Sequence, residues 1–287
     1  MRNSNERLAE RALAGLVVWI RPARGWGFAN LRELWRFREL VYFLIWRDVK
    51  VRYKQTLLGA GWAIIKPLLG MVVFTVVFAG LAHLETDGIP APVFYFAGLL
   101  PWVLFQDGAT KSGNSLVTSS NLITKVYFPR MAIPLALVVS GLVDFALSFV
   151  VLLGMAAFYR IQLTPAASLV PLFIALALLC TLGVGMWLAA LNVVYRDVGY
   201  VIPFLLQAWF YATPVVYSAT LIPEGLPQLL YSLNPMAGVV QGFRWAMTGS
   251  GAPPTGLLLA SLLVGLFLLV SGVFVFRRME RNFADIV

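Results

Sequence analysis

Arg47-Asp48-Val49-Lys50-Val51-Arg52-Tyr53-Lys54-Gln55, followed by Leu58-Gly59, Trp62 and Lys66-Pro67, joins two unlike parts of the chain. Twelve of the 22 Lys and Arg residues lie before residue 55, four of them in this stretch, and on its C-terminal side begins a series of apolar runs long enough to cross a bilayer. Composition agrees: 60% apolar and 12% charged among 287 residues is too little charge to keep a globule of that size in water. The net charge of +9 comes from basic residues that flank apolar runs instead of covering a folded surface, which argues against nucleic acid as a partner. Cys180 is the only cysteine and His83 the only histidine, so an intramolecular disulfide and a multi-His metal site are both excluded. Residues 1–30 place Arg2, Arg7, Arg11, Arg21 and Arg24 around a short apolar stretch, Ala12 to Ile20. Arg11 abuts that stretch, Trp19 interrupts it and no small-x-small site follows closely, so it reads as a retained cytoplasmic segment.

A helix needs about 20 mostly apolar residues to cross a bilayer core of about 30 Å. The runs at 62–81, 131–159, 166–195, 198–217 and 256–276 meet that length. The run at 93–118 is apolar up to Gln106 and then carries Asp107, Thr110, Lys111, Asn114 and Thr118, so its second half must face protein or water. Residues 222–247 are apolar but cut by Pro223, Gly225, Pro227 and Asn234-Pro235, which predicts two short helices of about 8 and 12 residues, neither able to span. Six spans then place 20 of the 22 Lys and Arg on one side, with Arg160 and Arg244 the exceptions. That asymmetry puts both termini in the cytoplasm and the short helices at the outer face, re-entrant from it or flat upon it.

Residues 31–54 form an amphipathic pattern, with Leu31, Leu34, Trp35, Val41, Tyr42, Ile45 and Val49 on one side of a helical wheel. Arg32, Glu33, Arg36, Glu39, Arg47, Lys50 and Lys54 lie opposite, as in a helix resting on the cytoplasmic leaflet. Arg38, Leu40 and Phe43 break the pattern, which predicts a bend or a protein contact along part of its length. Between the second and third runs, Leu122, Ile123, Val126, Tyr127 and Phe128 stand among charges, and such a patch calls for burial against membrane or a partner. Asp144, midway along the third run, must face the bundle interior. A proton relay would need a second acid–base group beside it, so a structural hydrogen-bonding role is the stronger reading; Asp107 and Lys111, four positions apart, suggest a local ion pair. Most aromatic residues read as interfacial belt or packing, with Trp62, Phe74, Phe78, Trp209, Tyr211 and Tyr217 the candidates for lining a pathway. No glycine-rich phosphate loop, HExxH or GxSxG motif occurs, and no convincing pair of catalytic carboxylates. Catalytic, cofactor and metal sites are therefore not expected in this chain, and any ATP hydrolysis must come from another.

The ordered motifs Arg47 to Gln55 with Leu58-Gly59, Trp62 and Pro67, then Lys125-Val126-Tyr127-Phe128-Pro129-Arg130, Arg196-Asp197, Thr213-Pro214-Val215-Val216-Tyr217 and Asn234-Pro235-Met236 resemble the permease subunit of ABC-2 type polysaccharide exporters. That family moves lipid-linked O-antigen, capsule or teichoic-acid chains across the bacterial cytoplasmic membrane. The resemblance implies an all-α membrane protein with six transmembrane helices, an N-terminal interface helix, a cytoplasmic coupling helix and two re-entrant outer-face helices. It implies a homodimer bound to two copies of an ATPase subunit, with ATP and magnesium on that partner, and a lipid-linked polysaccharide as substrate. By position it assigns Leu122, Lys125, Tyr127, Phe128 and Arg130 to ATPase docking, Arg47, Lys50, Arg52 and Lys54 to the interface helix, and Pro227, Asn234 and Pro235 to an outer gate. An exporter of drugs or small lipids would share the docking elements, whereas a secondary transporter or membrane enzyme would work without an ATPase.

Overall fold

A computed structural model describes residues 34–54, 58–125, 128–223, 225–280 and 283. Segment 1–30, Leu31 and Tyr127 lie outside the described residues. Regular structure among the described residues is helical throughout. Helix α1 is Arg38–Tyr53, and α2 is Gly61–Phe74, running on into a π-helical stretch Thr75–Leu81. Helix α3 is Ala91–Thr118, α4 is Ser120–Lys125 and α5 is Ala132–Phe158. A short 3-10 turn, Pro165–Leu169, leads into α6, Val170–Val194; α7 is Val198–Tyr211, α8 is Leu226–Ser232, α9 is Pro235–Thr248 and α10 is Thr255–Glu280.

Among the described residues, four stretches are long and apolar enough to cross a membrane: Gly61–Leu81, Ala132–Phe158, Pro165–Val194 and Thr255–Glu280. Helix α3 has the length but carries the polar second half already noted. It is the hub of the bundle, packed on α2, α5, α6, α7 and α9, with Phe94, Tyr95, Phe96, Trp102 and Phe105 buried along it. Helices α6 and α10 approach so closely that a Cβ on Gly272 would sit 2.4 Å from the Gly183 carbonyl oxygen. Glycine is what permits that contact.

Two expectations change. The run at 198–217 is helical only to Tyr211, and 14 residues rise about 21 Å, short of a bilayer. Thr213, Pro214, Val215 and Val216 continue as non-helical but buried chain. Backbone freed from a helix at that depth needs internal donors. Arg244 supplies them: its Nη2 donates to the carbonyls of Pro214 at 2.9 Å and Val215 at 3.0 Å, and its Nε to that of Phe94 at 3.3 Å. Its guanidinium lies 3.6 Å from the centroid of the Phe94 ring. The second change concerns residues 222–247. The split falls at Asn234-Pro235 as predicted, where the Asn234 side chain caps α9 by accepting from the Met236 N–H at 3.0 Å. The halves differ in burial, however: α9 is enclosed by α3, α6 and α10, whereas Leu226, Pro227 and Leu230 of α8 stand exposed.

Candidate functional site

The charged groups converge where α1 meets the bundle. Phe37, Val41, Leu44, Asp48 and Arg52 recur at helical spacing on the face of α1 turned toward α5. Leu44 is buried against Leu116, Ile133 and Ala136 in a cluster that Leu34, Phe37, Leu40, Val41 and Ile45 also join. The helix runs beside α5 in the same direction at a constant register. Ser140 donates to Asp48 at 2.7 Å and Arg52 donates to Asp144, both pairs 92 positions apart.

Trp35 and Tyr42, placed by the wheel with the apolar side, are exposed at 71% and 70%, on a different arc from the aliphatic residues that pack on α5. Helix α1 has two apolar arcs, an aliphatic one against α5 and an aromatic one outward, and a single wheel average merges them. Lys50 Nζ lies 4.3 Å from the centroid of the exposed Trp46 ring, and Arg38 stands over Trp35. Arg47 and Lys54 are exposed as well. Such a pairing of rings and cations suits a headgroup layer or an acidic partner. Of the residues that break the wheel pattern, Leu40 packs against the bundle itself.

Arg52 is the centre of the joint. It donates to Asp48 one turn back, to Asp144 on α5, and to Ser140 Oγ at 3.0 Å, while Tyr53 donates its hydroxyl to Asp144. Burial disfavours the Arg52 charge, but Asp144 and Asp48 more than offset it and hold its pKa above the ordinary value. Burial, with the bond to Asp144, pushes the Tyr53 phenol up to about 12, so it stays a donor at neutral pH. Asp144 thus has its partners from outside the third run, which sequence separation conceals. Lys111 is attracted by Asp107 on its own helix and also reaches across the α3–α5 contact, its ammonium 3.9 Å from Asp144 Oδ2. Asp107 and Asp144 both line a small cleft closed by Ala63, Pro67 and Ser148.

The docking candidates separate. Lys125, Asn121 and Thr124 are exposed on α4, and Leu122 is half-buried. Phe128 is 5% exposed and packs with Ile123, Phe276 and Phe283, so it stabilises the loop from inside rather than offering itself to a partner. Arg130 is held by the end of α10: its N–H donates to Glu280 Oε1 at 3.1 Å and its guanidinium to the Glu280 carbonyl. Sequence pattern alone gives no sign of that clasp.

The pathway candidates separate too. Phe74 stacks on Phe210 with centroids 5.7 Å apart and meets Phe78 and Tyr95 edge-on or tilted, which makes them part of the core. Trp209 donates to Asn234 Oδ1 at 2.9 Å, and Asn234 donates onward to the Ala212 carbonyl and Thr213 Oγ1, fixing the end of α7 to the start of α9. Tyr217 donates to the Tyr211 carbonyl at 3.3 Å, and Pro235 is buried. Trp62 and Tyr211 open outward, at 46% and 61% exposure. Across Gly61–Leu81 only 6% of the apolar window is buried, so α2 is the least covered of the candidate spans.

A bundle of long apolar helices with its ionic groups gathered at one joint defines a multi-pass membrane protein. The chain belongs to the ABC-2 type transporter family, whose model matches residues 39–248. It is 31% identical over 256 residues to the O-antigen export system permease protein RfbA of Myxococcus xanthus, covering 89% of this chain and 98% of that protein. An O-antigen export system permease protein RfbA of Klebsiella pneumoniae is 28% identical over 87% of this chain and 95% of its own length. The polysialic acid transport protein KpsM of Escherichia coli is 25% identical over 71% of this chain and 79% of its own.

Proposed function

We propose that this chain is the permease subunit of an ATP-driven exporter that carries lipid-linked polysaccharide, O-antigen foremost, across the bacterial cytoplasmic membrane. The observation that carries the reading is the likeness to the M. xanthus O-antigen export permease over 98% of that protein's length. Family membership supports a membrane setting and an ATPase partner. In the full arrangement two copies of the chain pair with two ATPase subunits, each copy contributing six spans with both termini cytoplasmic. Helix α3 supplies a span whose polar half lies against protein, and α7 supplies one completed by the buried residues 213–216. The ATPases dock beneath α4 and the exposed basic face of α1, with Lys125, Arg47, Lys50 and Lys54 presented outward. Of the aromatic candidates, Trp62 and Tyr211 would meet a passing sugar chain, a reading supported by their exposed rings.

The test is complementation with co-purification. In a bacterium lacking its own O-antigen export permease, this chain expressed with its ATPase restores surface polysaccharide, and the solubilised chain retains that ATPase on an affinity column. Failure to hold any nucleotide-binding subunit would overturn the reading. Export of a small amphiphile without polysaccharide would move it to the drug or small-lipid exporters of the same superfamily.

A further inference from the structure

Asp144 has one bonded cation and a second in waiting. Arg52 and Tyr53 of α1 donate to its two carboxylate oxygens, while Lys111 of α3 stands 3.9 Å from Oδ2, within Coulombic reach but beyond a good hydrogen bond. Arg52 in turn has a second carboxylate, Asp48, on its own helix. Asp107 also faces Lys111 on its own helix, and in a rearrangement where Arg52 keeps Asp48 and Asp144 passes to Lys111 each cation and each of the two exchanging carboxylates still has a partner. That is the condition for two arrangements of similar energy, since stranding one member of a partly buried pair is what makes breaking it costly. None of the four is sealed: Arg52, Asp48, Asp144 and Lys111 have side-chain exposures of 20%, 23%, 21% and 31%. Asp144 also borders the cleft beside Ala63 and Pro67, which leaves room for its carboxylate to turn.

The three groups sit on elements with different attachments. Arg52 and Tyr53 end α1, and the chain then bends at Gly59, whose φ is +50°, before α2 begins at Gly61. Asp144 is on α5 and Lys111 on the hub helix α3, which pack closely together. A handover of Asp144 from Arg52 to Lys111 would therefore remove the ionic tie between the end of α1 and α5, leaving the hydroxyl contacts of Ser140 and Ser148, while tightening α5 on α3.

We infer that Lys111 is the alternate partner of Asp144, and that exchange of Asp144 between Arg52 and Lys111 is a two-position latch through which movement of α1 frees or fixes the start of α2. Arg52, Asp144 and Lys111 act as positioning residues: none needs to touch the substrate. The inference rests on the reading that α1 is driven by an ATPase partner.

Two readouts separate the inference from that reading. The first uses spin labels at exposed Trp46 on α1 and Val150 on α5, in a Cys180→Ala background, in the full complex with its ATPase in lipid nanodiscs. The α1–α5 distance changes between nucleotide-free and ATP–vanadate states in the wild-type complex, and Lys111→Met abolishes the change. The second is polysaccharide exported per ATP hydrolysed. It falls about tenfold in Lys111→Met, as expected for loss of a coupling contact, and returns in Lys111→Arg. A fixed structural ion pair predicts the opposite, since Lys111→Met leaves the Arg52–Asp144 bond untouched; a wild-type distance change and wild-type coupling in that variant would overturn the latch. If the distance changes as expected but the wild-type complex exports no polysaccharide, the latch stands and the substrate reading fails.

Discussion

Each end of the bundle holds a partly or wholly buried arginine, and the two are satisfied in different ways. Arg244, 4% exposed, forms no ion pair with a described residue and gives its donors to three backbone carbonyls beneath an aromatic ring. Arg52 is bound by two carboxylates, with a competing lysine close by. Carbonyls of a packed backbone cannot change partners, but a carboxylate between two cations can. The first arrangement fixes the break after α7 in one geometry; the second allows a joint to have more than one.

The largest test of that contrast is Arg244→Met. It strands the Phe94, Pro214 and Val215 carbonyls together, and a loss of about 3 kcal/mol or more is expected, read as a lowered unfolding temperature and poor recovery of folded protein in detergent. A variant as stable as the wild type would show that the cage is dispensable. Asp144→Asn should cost less, about 1–3 kcal/mol, because Arg52 keeps Asp48 and water reaches the joint. A chemical-denaturation comparison of the two variants checks the ranking. Asn234→Ala removes the α9 cap and the bond from Trp209, for about 1–2 kcal/mol, and should loosen the α7–α9 end measurably by hydrogen exchange while leaving α1 protected. The smallest effect concerns Tyr53. Its folded pKa of about 12 exceeds the ordinary phenol value of about 10, so its contribution is complete below pH 10 and is lost as pH rises through 12. Tyr53→Phe should therefore lower stability at pH 7 by about 0.5–1 kcal/mol, through the lost bond to Asp144, and flatten the stability profile between pH 10 and 12.

The split at Asn234-Pro235 was legible because proline and an N-capping side chain are local signals, and long apolar runs announced the candidate spans for the same reason. The end of α7 was legible only in part: Pro214 is a local helix breaker, but nothing nearby shows that Arg244, some 30 positions later, satisfies the carbonyls freed there. The joint was half legible. Arg47 to Lys54 stood out by charge, and Asp144 by its isolation among apolar residues, yet nothing in either segment specifies a register of 92 positions. Phe128 and Arg130 show the same limit from the other side. Apolar and basic residues in a loop resemble a docking surface until the fold turns one inward and clasps the other to Glu280.

The constant register between α1 and α5 makes sliding directional. On α5, Ser140, Asp144 and Ser148 follow one another at one-turn intervals, facing Asp48, Arg52 and Ala63. A shift of α1 by one turn toward Ser148 would bring Asp48 onto Asp144, carboxylate against carboxylate, and leave Arg52 with a hydroxyl. The opposite shift carries Arg52 to Ser140, which it already touches, and Asp48 to Ala136, without bringing like charges together. Three side chains spaced four apart thus set unequal electrostatic costs for displacing α1 along α5 in the two directions.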